Sequence, residues 1–83
     1  MQFNNLYNLL IESDKPICKI YNDGTKEWWL NGKRHREDGP AVEWASGYKH
    51  WWLNGEQYSE PNYYRQLYKL GKITKEELFI KLL

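Results

Sequence analysis

The sequence predicts an α+β fold: an antiparallel β-meander of two repeats of about 23 residues, with an N-terminal helix and a C-terminal two-helix hairpin. Three observations predict it. Apolar residues recur at helical spacing near the start of the chain. The run Trp-Trp-Leu-Asn-Gly occurs twice, at 28–32 and 51–55, and a fixed-period recurrence of that length is the mark of a repeat architecture. A capping box, Thr74 with Glu77 three residues on, opens an apolar stretch near the end.

Taken in order, residues 2–12 place Phe3, Leu6, Tyr7 and Leu10 at i, i+3, i+4 and i+7, one face of an amphipathic helix. Leu9 and Ile11 widen that face, and Pro16 stops its continuation. Residues 14–58 form the repeat region. The segment from Asp23 to Gly32 returns as Ser46 to Gly55, with Gly24 and Gly47, Trp28 and Trp51, and Asn31 and Asn54 matched. Each unit reads as hairpins. Ile17 to Tyr21 is a short strand, Asp23-Gly24 a two-residue turn, Lys26 to Leu30 the returning strand, and Asn31-Gly32 the next turn. Ala41 to Ala45, Ser46-Gly47, Tyr48 to Leu53 and Asn54-Gly55 repeat the scheme, giving five or six short strands.

Side chains alternate across a strand. Trp28 and Leu30 therefore share one face and Trp29 lies opposite with Glu27 and Thr25; Trp51 with Leu53, and Trp52 with Tyr48 and His50, divide in the same way. Each Trp-Trp pair puts an indole on both sides of the sheet. Residues 59–83 read as the helical hairpin. Pro61 suits the first turn, Tyr64, Leu67 and Tyr68 form an apolar stripe, and Gly71 is a natural C′ residue. Leu78, Phe79, Leu82 and Leu83 give the second helix its apolar face. The expected organisation is a single domain over 1–83.

Composition limits what such a domain can do. A chain of 83 residues has a small core, and one cysteine with two histidines supplies neither an internal disulfide nor a four-ligand structural metal site. Aromatic mass is the available substitute: 17% of residues are Phe, Trp or Tyr, and each ring buries roughly 150–250 Å². Twelve Lys and Arg balance eleven Asp and Glu, which argues against a charge-driven nucleic-acid or membrane binder. Residues 25–59 hold five bases and five acids, whereas 60–83 hold five bases and three acids. A mean hydropathy of −0.90 excludes a long apolar span, and the N-terminus has neither the basic start nor the small-residue cleavage site of a signal peptide. A cytoplasmic location is expected, with no membrane partner.

The run from Trp28 to Trp44, with Leu30-Asn31-Gly32-Lys33 followed by His35-Arg36-Glu37-Asp38-Gly39-Pro40-Ala41, resembles the WYLNGK-HREDGPA-type repeats of phage and giant-virus proteins. These are similar to MORN-variant repeats, which form β-hairpin arrays. The resemblance covers residues 14–58 and its most specific piece occurs once; residues 56–60 do not repeat it. It implies a phage or viral origin and carries no activity with it. The segment from Leu67 to Leu83 also resembles two-helix tails of bacterial and phage proteins, without further implication.

Candidate chemistry is sparse. His35 with Asp38 or Glu37 has the residue types of a base and its orienting partner, but no nucleophile accompanies them, and the plainer reading is a polar corner in which Arg36 pairs locally. Cys18, in a short strand, reads as a buried hydrophobe, and His50 as cross-strand packing. No phosphate loop is present. The expected function is therefore a non-enzymatic interaction protein, with no cofactor and neither catalytic nor metal residues. It would bind and inhibit a host protein, host-defence machinery being the target class suggested by the phage resemblance. The contact residues would be Trp29, Trp52, Tyr48, Arg34 and Arg36, of types favoured at binding hot spots. The alternative is a binder that sequesters a nucleotide signal on its aromatic strands, with a pocket completed by homo-oligomerisation.

Overall fold

A computed structural model describes residues 14–83; the helix expected over 2–12 lies outside the described residues. Six strands are followed by two helices: β1 Ile17–Ile20, β2 Lys26–Leu30, β3 Lys33–Arg34, β4 Val42–Glu43, β5 Lys49–Leu53 and β6 Glu56–Tyr58, then α1 Glu60–Lys69 and α2 Lys75–Leu82. All pairings are antiparallel. The strand order is β1-β2-β4-β5-β6, with β3 paired to β2 off that path. β2 thus lends one edge to two partners: Trp29 and Leu30 pair with Arg34 and Lys33, while Lys26 and Glu27 pair with Glu43 and Val42.

The turns explain this layout. Asn31-Gly32 and Asn54-Gly55 each hold two residues at positive φ, near 50° for asparagine and above 80° for glycine, the requirement of a type I′ hairpin. Asp23-Gly24 and Ser46-Gly47 differ from the expected two-residue turn. Only the glycines have positive φ, and the closing pairs are Tyr21 with Thr25 and Trp44 with Tyr48, each through an amide-to-carbonyl bond of 2.8 or 2.9 Å. Each loop is therefore three residues long with glycine at its end, the arrangement that makes a bulge and adds twist. In the first loop the Asp23 carboxylate accepts the Thr25 N–H at 2.9 Å, so a side chain replaces the backbone geometry that a type I′ turn would need.

Opposed residues of an antiparallel ladder lie on one side of the sheet, so the register sorts the faces. Cys18, Ile20, Lys26, Trp28, Leu30, Trp51 and Leu53 share the first face; Ile17, Glu27, Trp29, Arg34, Val42, His50 and Trp52 share the second. Helix α1 packs on the first. Its Tyr63 and Leu67 join Leu53 in the buried core, with Trp51, Tyr58, Tyr64 and Ile73 around it. The Trp51 and Tyr63 rings lie 4.9 Å apart at 51°. The buried stripe of α1 is Tyr63 and Leu67, one residue round from the expected set, and Tyr68 is exposed. In α2 only Leu78 is buried, while Phe79, Leu82 and Leu83 face outward. Ser59 caps α1 by accepting the Asn62 N–H, and Thr74 and Glu77 complete the capping box of α2.

Further along the same face, the loop from His35 to Ala41 covers Trp28. The Arg36 guanidinium lies 3.7 Å from the Trp28 ring centroid. It donates to Asp38, to the Pro40 carbonyl and to Glu43 at 2.9–3.0 Å. Gly39 lies close beside it: a Cβ there would stand 2.9 Å from the Arg36 Cζ, so the guanidinium would have to shift. The Tyr63 hydroxyl ties loop to helix, donating to the Arg36 carbonyl at 2.5 Å and accepting from the Gly39 N–H at 3.3 Å.

Burial pushes the Tyr63 phenol well above its ordinary value of 10.0. The folded chain keeps it neutral where the unfolded chain ionises, so its contribution is full below pH 10.0 and is lost as pH rises beyond it. Tyr63→Phe should cost about 1–3 kcal/mol at neutral pH, the penalty for stranding buried backbone groups. Urea melts at neutral and strongly alkaline pH should show the wild type losing more stability than the variant over that range.

Candidate functional site

The second face has no described helix on it and meets its indoles with charge instead. Arg34 projects from β3 opposite Trp29. Its guanidinium carbon sits 5.3 Å from the Trp29 ring and 5.1 Å from the Trp52 ring, close enough for cation–π attraction to both. One guanidinium nitrogen donates to Glu27 at 2.7 Å. Glu27 is only 5% exposed and also accepts from the Tyr21 hydroxyl and from Trp29 Nε1 at 3.4 Å. Val42, its partner across the ladder, is buried beside it. Burial pushes the Glu27 carboxyl up, but hydrogen bonds from Tyr21, Arg34 and Trp29, with the Arg34 charge, outweigh it and hold the pKa below the ordinary 4.5.

Four of the five residues expected from the sequence come together here. Trp29, Trp52 and Arg34 make the stacked layer. Tyr48 lies at the end of the same face, 74% exposed, two positions before His50, itself two before Trp52. Arg36 does not join them. It occupies the opposite face, stacked on Trp28 and spent on two carboxylates and a carbonyl. The spacing of Arg34 and Arg36 points them the same way only if the strand continues; β3 ends at Arg34, and the chain turns between them.

Two aromatic residues of this face were not anticipated: Tyr21 and Trp44, 23 positions apart in the sequence. Tyr21 donates to Glu27, and Trp44 Nε1 donates to His50 Nδ1 at 3.3 Å, the same six-residue reach in each. Trp44 is 41% exposed and meets His50 edge-on at 6.0 Å. Their repeat equivalence was the available signal.

His35 is 3% exposed and engaged at both nitrogens. Nδ1 accepts the Asn54 N–H at 2.9 Å, which leaves Nε2 to donate to Glu37 at 2.9 Å. It fastens the second Asn-Gly turn to the loop, and neither nitrogen faces an open site. Cys18 is exposed on the edge strand rather than buried; among the described residues, the helix and the loop that cover the first face lie against β2 and β5, not β1. Among the described residues no group of three or more His, Cys, Asp or Glu is placed to hold a metal ion, and no helix is long and apolar enough to cross a membrane. No family model, curated protein or solved structure matches the chain.

Because the Glu27 pKa is lowered by folding, its ion pair and hydrogen bonds stabilise the chain above pH 4.5 and are lost as pH falls through the folded value. Glu27→Gln should cost about 1–3 kcal/mol at pH 7, the range for disturbing a buried polar cluster. Urea denaturation should show the gap between variant and wild type narrowing as the pH is lowered below 4.5.

Proposed function

We propose that this chain is a small, non-enzymatic interaction protein of phage type that binds a host protein in the cytoplasm and inhibits it by occlusion. The contact surface is the second face of the sheet, on which no described helix lies. The two-repeat meander is its scaffold, and the C-terminal helices act as the array's end cap. The phage origin and the defence-related target class rest on the resemblance of residues 14–58 to the HREDGPA-type repeats. The observation that carries the binding reading is the alignment of Tyr21, Trp44 and Tyr48, all exposed, beside the Arg34 layer on one face. Aromatic residues and arginine are the types that dominate binding hot spots, and the internal bonds of Tyr21, Trp44 and Arg34 hold them in place before any partner arrives.

Affinity capture from host lysate tests this with paired variants. The double variant Trp44→Ala with Tyr48→Ala should reduce capture of the specific partner at least about tenfold, equivalent to ~1.4 kcal/mol. Ile20→Ser, on the opposite face at the edge strand, should leave it unchanged. Equal capture by all three proteins, or loss only with Ile20→Ser, rejects the second face as the contact. Nucleotide released from the denatured, freshly purified protein would instead favour sequestration of a small ligand.

A further inference from the structure

Trp44 is a wall shared by two open grooves on the second face. One, of about 550 Å³, runs from Tyr21 and Asp23 past Glu27 to Trp44. The other, of about 300 Å³, is lined by Trp44, Ser46, Tyr48 and His50. The Trp44 side chain is held by His50 in two ways. Its Nε1–H donates to His50 Nδ1 at 3.3 Å, and the two rings meet edge-on at 6.0 Å and 77°. An indole nitrogen only donates, so this bond requires Nδ1 to be the bare nitrogen of His50 and Nε2 to carry the proton. Neutral imidazole meets that requirement. Imidazolium, with a hydrogen on both nitrogens, cannot.

The pair 23 positions earlier has a different acceptor. Tyr21 donates to Glu27, again six residues on. Burial pushes the Glu27 carboxyl up, but the hydrogen bonds from Tyr21, Arg34 and Trp29 hold it below 4.5, so it stays an acceptor through the neutral range. Tyr21 is thus fastened permanently and Trp44 conditionally. The surroundings of His50 leave the condition to its own ring. On β5 its face holds Tyr48 and Trp52, while Lys49 projects to the opposite face with Glu43 of β4. Val42 faces it from β4, and Glu27 lies beyond Val42 on β2. Arg34, over Trp52, is paired to Glu27, and Ser46 and Tyr48 bring hydroxyls. His35, the other histidine, is buried and engaged at both nitrogens by Asn54 and Glu37.

We propose that His50 is a proton-operated latch on Trp44. Imidazole takes up its second proton between about pH 8 and about pH 5. Neutral His50 accepts the indole N–H and fixes the wall between the grooves. On protonation two N–H groups meet with no acceptor between them, the bond breaks, and the indole turns away, so both grooves change shape together. The latch stands on the geometry of this pair alone. Its effect on a partner rests on the interaction reading above, because Trp44 belongs to the exposed aromatic row.

The test uses the full chain, isotopically labelled and titrated from about pH 8 to about pH 5 by NMR. The Trp44 indole N–H and the ring protons of both histidines are assigned through the backbone and followed together. The Trp44 signal should move with the midpoint of His50 and not with that of His35, while the Trp29 signal, bonded to Glu27, stays in place. The nuclear Overhauser contact between the Trp44 N–H and the His50 ring should be lost at the acid end, which a new charge acting at a distance would not cause. His50→Gln keeps an acceptor that does not titrate, so its Trp44 signal should hold still. A wild-type Trp44 signal that does not move, or that follows His35, overturns the latch. Equal movement in His50→Gln, or an Overhauser contact that survives protonation of His50, overturns it too. If His50→Gln fails to fold, the wild-type midpoints and the Overhauser contact decide alone. Partner capture at the two ends of the range tests the consequence. It should fall at least about threefold on acidification for the wild type and not for His50→Gln, the loss expected from one hydrogen bond. Capture that ignores pH but is lost in the Trp44 and Tyr48 double variant overturns control of the contact by the latch. Capture that the double variant leaves intact removes the contact face, and the NMR result still decides the latch.

Discussion

Two consecutive tryptophans in a β-strand cannot be hidden on one side of a sheet, and the rest of the architecture follows from having two such pairs. A strand's period of two sends Trp28 and Trp51 to one face and Trp29 and Trp52 to the other. In a chain with a small core, four indoles left in water would forfeit much of the apolar burial available to it. Each face therefore carries its own cover. On the first, Arg36 lies against Trp28, and the tyrosines of α1 lie against Trp51. On the second, a single guanidinium serves two indoles at once.

The cover on the second face has a different physical character. An α-helix buries a sheet face with side chains that need no charge compensation, whereas Arg34 brings a cation whose desolvation must be offset. Glu27 supplies the counter-charge from the same face, and Tyr21 and Trp29 satisfy what remains of its carboxylate. The result, among the described residues, is a thin polar-aromatic layer on this face. A layer of that kind gives rigidity without thickness, with Tyr21, Trp44 and Tyr48 exposed beside it.

The sequence made much of this legible because repeats and turns are local signals. The two Asn-Gly turns take the backbone that their residues demand, and the antiparallel sheet with helices behind it is the α+β class that the patterning implies. The split of each Trp-Trp pair follows from period alone. Three features were beyond local reading. Whether Arg36 sits with Arg34 depends on β3 stopping after two residues, which a loop fastened by His35 and Tyr63 decides at long range. The buried stripe of α1 turned from Tyr64 to Tyr63 because the Tyr63 hydroxyl has a partner in that loop. Tyr21 and Trp44 read as ordinary strand aromatics until each is seen to donate to the residue six positions on.

Charge placement also separates the two functional readings. A platform that sequesters nucleotides needs stacking rings and unpaired bases on one surface. Here Lys26, Lys33 and Lys49 all lie on the first face by register, away from the exposed aromatic row. On the aromatic face, Lys19 is held over Tyr21 at 4.7 Å at the sheet's margin, and Arg34 is already paired to Glu27. The near-neutral balance of residues 25–59 thus conceals a segregation. Free positive charge and free aromatic edges are on opposite sides of one thin sheet, and a polyanion drawn to the first would not meet the rings of the second. A contact made through the exposed rings alone makes no such demand.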